Sequence, residues 1–187
     1  MANVTSPNET IGVLMKGGTT RRYRNQSVDP QLVQLILECG EHAPSALGKR
    51  DPLLVACSDR MANRRLGIIS RLLSTERERG LAKRVSADQP SIIDDPSIED
   101  AFYGAPTMIF GFTPEGWEFG REDASIAAEA MMVAAHSLDL STCYVSRAKE
   151  TFEDDRGRLW AASQDVPANY QGAFALCLGY PAKRAIA

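Results

Sequence analysis

Apolar positions along this chain fall into helical, alternating and near-continuous patterns. The densest stretch is residues 124–138, where eleven of fifteen residues are apolar. Its exceptions, Ser125, Glu129, His136 and Ser137, do not form one wide solvent face. It therefore reads as a core helix that must be covered on most sides. Directly behind it, residues 141–146 read as a strand. Leu32, Leu35, Ile36 and Cys39 recur at helical spacing, widened by Val33 and Leu37, after the start signal Asp29-Pro30. That helix should stop near residues 40–42, because Pro44 disfavours helical backbone at Ala43. Met61, Ile68 and Leu72, with Ile69 and Leu73, mark a further helix capped by Ser58 or Asp59.

Ser6-Pro7-Asn8-Glu9 carries a capping box and a proline suited to the first helical position. A helix over residues 7–16 should follow and end at Gly17-Gly18. Short apolar runs at Leu53–Cys57, 107–112 and 172–178 read as strands, and residues 152–162 as a last helix. Residues 85–100 are polar and acidic and contain Pro90 and Pro96. They read as a surface loop of the length that often covers a site. With no internal repeat and no linker, residues 1–187 are expected to form one domain.

The 187 residues suffice for one proper core, and a hydrophobic content of 44% is that of an ordinary soluble globular protein. A net charge of −3 gives no general attraction to nucleic acid or to an anionic membrane. The basic clusters Arg21-Arg22-Tyr23-Arg24 and Arg64-Arg65 read as local ligands or solvated faces. No signal-like segment opens the chain and no apolar run reaches membrane-spanning length. The four cysteines are widely spaced in apolar contexts, without a CxxC pair, and only two histidines occur. A zinc site is therefore not expected, and the cysteines read as buried thiols of a reducing, cytoplasmic compartment.

No nucleophile elbow, Walker loop, His-Glu-x-x-His pair or GxGxxG turn is present. His136 reads as a satisfied interior histidine, and His42 as a cation at a helix end. What remains is a distributed anion site. Thr19, Thr20, Arg21, Arg22 and Arg24 follow Gly17-Gly18, and Lys183-Arg184 follow the last strand. Hydroxyls and forked guanidinium donors are what a phosphate needs. On the residues alone, a solvated basic loop and tail explain the same pattern.

Five motifs in order change that balance: Gly17-Gly18-Thr19-Thr20-Arg21-Arg22-Tyr23; Ala43-Pro44-Ser45-Ala46; Gly104-Ala105-Pro106-Thr107-Met108-Ile109; Asp123 to Met132, continuing through Thr142-Cys143-Tyr144-Val145; and Leu178-Gly179-Tyr180-Pro181. Together they resemble the nitroreductase family of FMN-dependent oxidoreductases. The resemblance implies an α+β sandwich, with helices flanking a mostly antiparallel sheet, in an intertwined homodimer with FMN at two shared sites. It implies that Gly18, Thr19, Arg21 and Arg22 line the flavin's phosphate and pyrimidine edge. Pro44, Ser45 and Ala46 would reach the ring from the second subunit. Tyr144, Val145 and Ser146 would run near flavin N5, and Lys183 or Arg184 would hold the phosphate. NADH or NADPH and a small acceptor, such as a nitroaromatic, quinone or activated alkene, would take turns at the ring. No protein acid or base is then obligatory as a catalytic residue.

The chain also departs from the family pattern. Gly17 and Gly18 stand where the family carries a basic residue. Gly48-Lys49-Arg50-Asp51-Pro52 replace an amide-rich segment, and Glu129-Ala130 stand where Gln-Asn is common. These departures leave one alternative open: a catalytically silent module of the same fold that binds flavin or another ligand as a sensor.

Overall fold

The computed structural model describes residues 8–49, 52–73 and 88–182. Its sheet has strands β1 (Leu53–Cys57), β2 (Thr107–Pro114), β3 (Ser141–Val145) and β4 (Tyr170–Gly179), in the spatial order β1-β2-β4-β3. Every pairing between them is antiparallel. β2 and β4 lie in the middle and are covered on both faces, which is why each is apolar almost without interruption. The register slips between Gly111 and Phe112. A Cβ on Gly111 would come within 2.0 Å of the Phe174 ring, so glycine at this bulge lets the ring cross the backbone.

The helices are α1 (Glu9–Lys16), α2 (Pro30–Glu41), α3 (Arg60–Leu72), α4 (Gly120–Ser137), α5 (Ala148–Glu153) and α6 (Asp155–Ser163). Alternation along the strands sends side chains to opposite faces. Met108, Phe110, Cys143 and Cys177 join α3, α5 and α6 in one core. Ile109, Phe174, Leu176 and Leu178 join α2 and α4 in the other. The first core is aromatic, with Phe112 and Phe152 ring centroids 4.7 Å apart and Phe110 and Trp160 4.9 Å apart. The second is lined by Ala124, Ala128, Met131 and Ala135 of α4.

Several boundaries differ from the sequence expectation, each for a physical reason. The Ser6-Pro7 start lies outside the described residues. The first described turn of α1 is capped by Asn8, whose Oδ1 accepts from Ile11 N at 3.0 Å. β2 continues to Pro114 because its pairing with β4 continues to Tyr170. The single helix expected over residues 152–162 is two helices. Asp154 turns extended, with ψ 140, and its carboxylate caps Arg156 N at 3.0 Å. The two helices then fold so tightly that a Cβ on Gly157 would reach 2.0 Å from Thr151 O. α4 is covered by the sheet and α2 but not on its remaining side, where Ser125, Ile126 and Glu129 are exposed. α1 has no buried residue and exposes Ile11, Leu14 and Met15.

Candidate binding site at the β3–β4 end of the sheet

The chain from Gly17 to Arg24 is laid across one end of the sheet. Gly17 closes α1, its N–H donating to Leu14 O, and leaves in extended conformation. Thr19 then forms a parallel bridge with Thr142 at the start of β3, and Thr20 N donates to Thr142 O at 2.8 Å. Tyr23 bridges to Pro181 just beyond β4, and Arg24 N donates to Tyr180 O at 2.9 Å. Thr20 is buried, and from Arg21 onward side chains alternate as extended backbone requires: Arg21 and Tyr23 are half-buried, and Arg22 and Arg24 are exposed.

Gly179 holds this junction together. A Cβ there would come within 2.7 Å of the Pro106 ring and 2.9 Å of the Tyr23 ring. The motifs containing Tyr23, Pro106 and Gly179, far apart in sequence, therefore meet at one glycine. Lys183 and Arg184 lie outside the described residues. Ala182, the last one described, donates its N–H to Arg22 O at 2.9 Å.

Arg21 turns inward. Its guanidinium stands 5.7 Å from the Tyr103 ring centroid, and its Nη1 donates to Gln89 O at 2.9 Å. The Gln89 side chain completes a clasp, its Oε1 accepting from Arg21 N at 2.6 Å. Burial pushes the Tyr103 hydroxyl up to about 12, so it stays a neutral donor at physiological pH. Cys143 is held below the usual thiol range by its hydrogen bond to Cys177, with Arg21 contributing against burial. Arg21 Nε is buried without a hydrogen-bond partner, and nothing lies within 4 Å of a Cβ built on Gly18. A buried charged donor left unpaired suits an anionic or carbonyl-bearing ligand. Arg21, Arg22, Tyr103 and Gly104 line a groove of about 380 Å³.

β3 leads out of this junction. Tyr144 is half-buried and stacks on Phe174 at 5.6 Å, Val145 is buried, and Ser146 is exposed in the turn that follows. Just beyond, Arg147 Nε and Glu150 Oε2 are buried without partners. Reading the sequence took Arg147 only for its backbone and missed Glu150, although two charged residues so close to a strand exit were the available signal. It also set aside His136, which the last turn of α4 carries to Gly17. A Cβ at position 17 would stand 3.0 Å from His136 Nδ1.

Pro44, Ser45 and Ala46 are elsewhere. They follow α2, which ends at His42, whose Nδ1 is 2.8 Å from Glu38 O. Asp123, 2% exposed, fixes the loop: its Oδ1 accepts from Ala46 N at 2.7 Å and its Oδ2 from Trp117 Nε1 at 2.9 Å. Lys49 Nζ lies 4.1 Å from the Trp117 ring centroid, a cation–π contact on the same indole. Leu47 takes a left-handed conformation, φ 56, and is 81% exposed. A branched aliphatic residue held in that region is strained and needs its surroundings to hold it. Pro44, Ser45, Asp123 and Ala127 line a second hollow, of about 210 Å³. It shares no lining residue with the groove beside Arg21.

Against known proteins, residues 18–180 match the model of the nitroreductase family. No match was found among curated protein sequences. Among solved structures, the fold resembles a nitroreductase with bound FMN from Bacteroides fragilis (TM-score 0.79, 23% identity over 97% of this chain and 92% of that one). A nitroreductase with bound FMN from Desulfitobacterium hafniense follows (TM-score 0.78, 20% identity, 95% and 92%). An FMN-dependent nitroreductase from Clostridium difficile is similar too (TM-score 0.75, 18% identity, 96% and 93%).

Proposed function

The chain belongs to the nitroreductase family, and on that premise we propose that it is an FMN-dependent oxidoreductase working as a homodimer. It takes hydride from NADH or NADPH and reduces a small acceptor such as a nitroaromatic, quinone or activated alkene. The observation that carries this reading is the separation of two hollows on one chain. The groove beside Arg21 carries Arg21, Arg22 and Arg64 with Asp95, Glu99 and Asp100, and the hollow beside Pro44 and Ser45 combines Ala43, Pro52 and Ala127 with Glu41, His42 and Asp123. Two copies related by a twofold axis would bring one of each together twice. The exposed apolar side chains of α1, Ile126 on α4 and Leu47 give such a pairing surface to bury.

FMN, when bound, supplies the hydride-accepting and hydride-donating ring. The chain's own residues would do the rest. Gly18 and Thr19 give backbone and hydroxyl access, Arg21 places positive charge at the pyrimidine edge, and Tyr144, Val145 and Ser146 line the strand exit. Lys183 or Arg184 adds phosphate contacts. Pro44, Ser45 and Ala46 of the second copy shield the ring from water, held in place by Asp123. A fixed positive charge where negative charge gathers on reduction is preorganised stabilisation.

The test is the spectrum of the purified protein, FMN uptake by the apoprotein, and NADH or NADPH oxidation with these acceptors. A colourless protein that takes up no FMN would end the reading. A flavin-binding module without turnover is the second reading, and the Gln89 clasp on Arg21 is the observation that favours it. Stopped-flow mixing of the flavin-loaded protein with NADH and NADPH decides between them, since rapid bleaching of the flavin band rejects the silent module.

No described helix is long and apolar enough to cross a membrane, and Cys57, Cys143 and Cys177 are buried free thiols. A cytoplasmic setting suits both.

A further inference from the structure

We propose that Cys143 and Cys177 are a redox-active dithiol, which hydrogen peroxide converts into a disulfide tying β3 to β4. The site stands on the placement of the two cysteines in the sheet and goes beyond the flavin reading.

A row of sulfur side chains crosses the sheet. Cys57 pairs with Met108, Met108 with Cys177, and Cys177 with Cys143, so the row runs through β1, β2, β4 and β3. All four pack into the aromatic core. Met108 keeps Cys57 apart from Cys177, and Cys39 lies on α2. Cys143 and Cys177 are therefore the two thiols on adjacent strands, and strand partners carry their side chains on the same face. The main chain of Thr142 is turned away from β4, since its carbonyl accepts from Thr20 N at 2.8 Å. The main chain of Cys143 then faces β4, which makes the cysteines a hydrogen-bonded strand pair. Such a pair has Cα atoms about 5.5 Å apart, inside the span that a disulfide bridges. The rest of the closure falls to side-chain rotation and a small adjustment of β3, which ends the sheet.

The two thiols are unequal. Burial, and after it the hydrogen bond to Cys143, push Cys177 up, so it keeps its proton. Its thiol has two acceptors, the Cys143 sulfur and Phe102 O at 3.4 Å. The hydrogen bond from Cys177 and the Arg21 guanidinium hold Cys143 below the usual thiol range, against its burial. Cys143 is thus the nucleophile and Cys177 the resolving thiol. Both are nearly inaccessible, at 2% and 0% exposed, which favours an oxidant the size of water. Arg21 and Tyr103, which line the groove of about 380 Å³, are also polar neighbours of Cys143, so the groove wall is the shortest approach.

The Cys143 thiolate attacks one peroxide oxygen and the O–O bond breaks. The departing hydroxide takes up a proton as water, and Cys143 is left as a sulfenic acid. The Cys177 sulfur attacks that sulfur and gives up its proton as the S–O bond breaks and a second water leaves. Two thiols and one peroxide become one disulfide and two waters, the sulfurs losing the two electrons that the peroxide gains. Closure pins β3 beside Thr142, which holds Thr19 and Thr20, and takes the thiolate away from Arg21.

The test is peroxide titration of the reduced chain, with and without added FMN, followed by alkylation in denaturant and peptide mass mapping. A peptide pair linked through Cys143 and Cys177 should appear, and the four thiols should fall to two and return with dithiothreitol. Cys177→Ser should leave Cys143 as a sulfenic acid that a cyclic dione traps, and Cys143→Ser should leave Cys177 unreacted. The pair Cys39→Ser with Cys57→Ser should bridge at the rate of the unaltered chain. The unaltered chain carries the decision, so a variant that fails to fold does not blunt it. Links through Cys39 or Cys57 instead, oxidation of Cys143 to the sulfinic acid without a link, or thiols that resist peroxide until urea unfolds the chain would each overturn the proposal. The cofactor reading is unaffected by any of these, because the bridge forms with or without flavin.

Discussion

The two faces of the sheet solve the same problem differently. The face under α3, α5 and α6 closes on itself with large rings: Phe102, Phe110 and Phe112 are all 1% exposed or less. The face under α2 and α4 is packed with alanine and methionine, and the far side of α4 stays open, with Ile126 43% exposed beside an α1 that buries nothing. Ring packing fills volume within one chain. Small side chains on α4 bring backbones close and leave area for something else to cover. The first face is a foundation whose margin carries the groove beside Arg21, with Ile98 and Tyr103 packed on its core, and the second is where the Pro44 hollow and the proposed partner surface lie.

The comparison breaks most severely on the aromatic face. Phe110→Ala should cost about 3–5 kcal/mol, as for buried aromatic truncations in general. Urea denaturation checks it, and a loss under about 1 kcal/mol would mean that this face is not the foundation. Asp123→Ala comes next, at about 2 kcal/mol, because it strands the half-buried donors Ala46 N and Trp117 Nε1. It should also free the Pro44–Ser45–Ala46 loop, read as faster amide hydrogen exchange at Ala46.

Ile126→Glu should alter the stability of an isolated chain by only about 0.5 kcal/mol. If the proposed homodimer forms through this surface, the change should dissociate it in sedimentation analysis and weaken FMN uptake with it. A dimer indifferent to this change would move the partner surface elsewhere. The smallest effect concerns pH. The folded-state pKa of His136 lies below its unfolded value, so the unfolded chain binds more protons in the window below about pH 6.5. Stability should fall slightly as pH drops through that window in the ligand-free protein. His136→Gln should flatten that part of the thermal-midpoint profile.

Much of this was visible in the sequence. The α2 stripe of Val33 and Ile36 and the strands Leu53–Cys57 and Ser141–Val145 follow from periodicity that each element sets alone, whereas of the face expected for α3 Ile69 is buried but Met61 and Leu72 are exposed, and Leu66, outside that expectation, is buried. The break at Asp154 did not, because it depends on Gly157 pressing against Thr151 O. Nor did the exposed side of α4, since apolar content says that a helix must be covered but not by which chain. Of the candidate site residues, Thr19 and Arg21 were legible as anion-binding types in a post-helix loop. The approach of His136 to Gly17 was not, because it joins the last turn of α4 to the end of α1.

By itself, the sequence determined the elements, their order and the family pattern, because side-chain spacing and turn chemistry act over a few residues. Tertiary structure alone decided that Tyr23, Pro106 and Gly179 share one junction, that Asp123 anchors the Pro44 loop, and that Arg21 and Pro44 open into separate hollows. Those are contacts between distant segments. Their geometry is set by how the sheet and helices pack, and no local pattern encodes it.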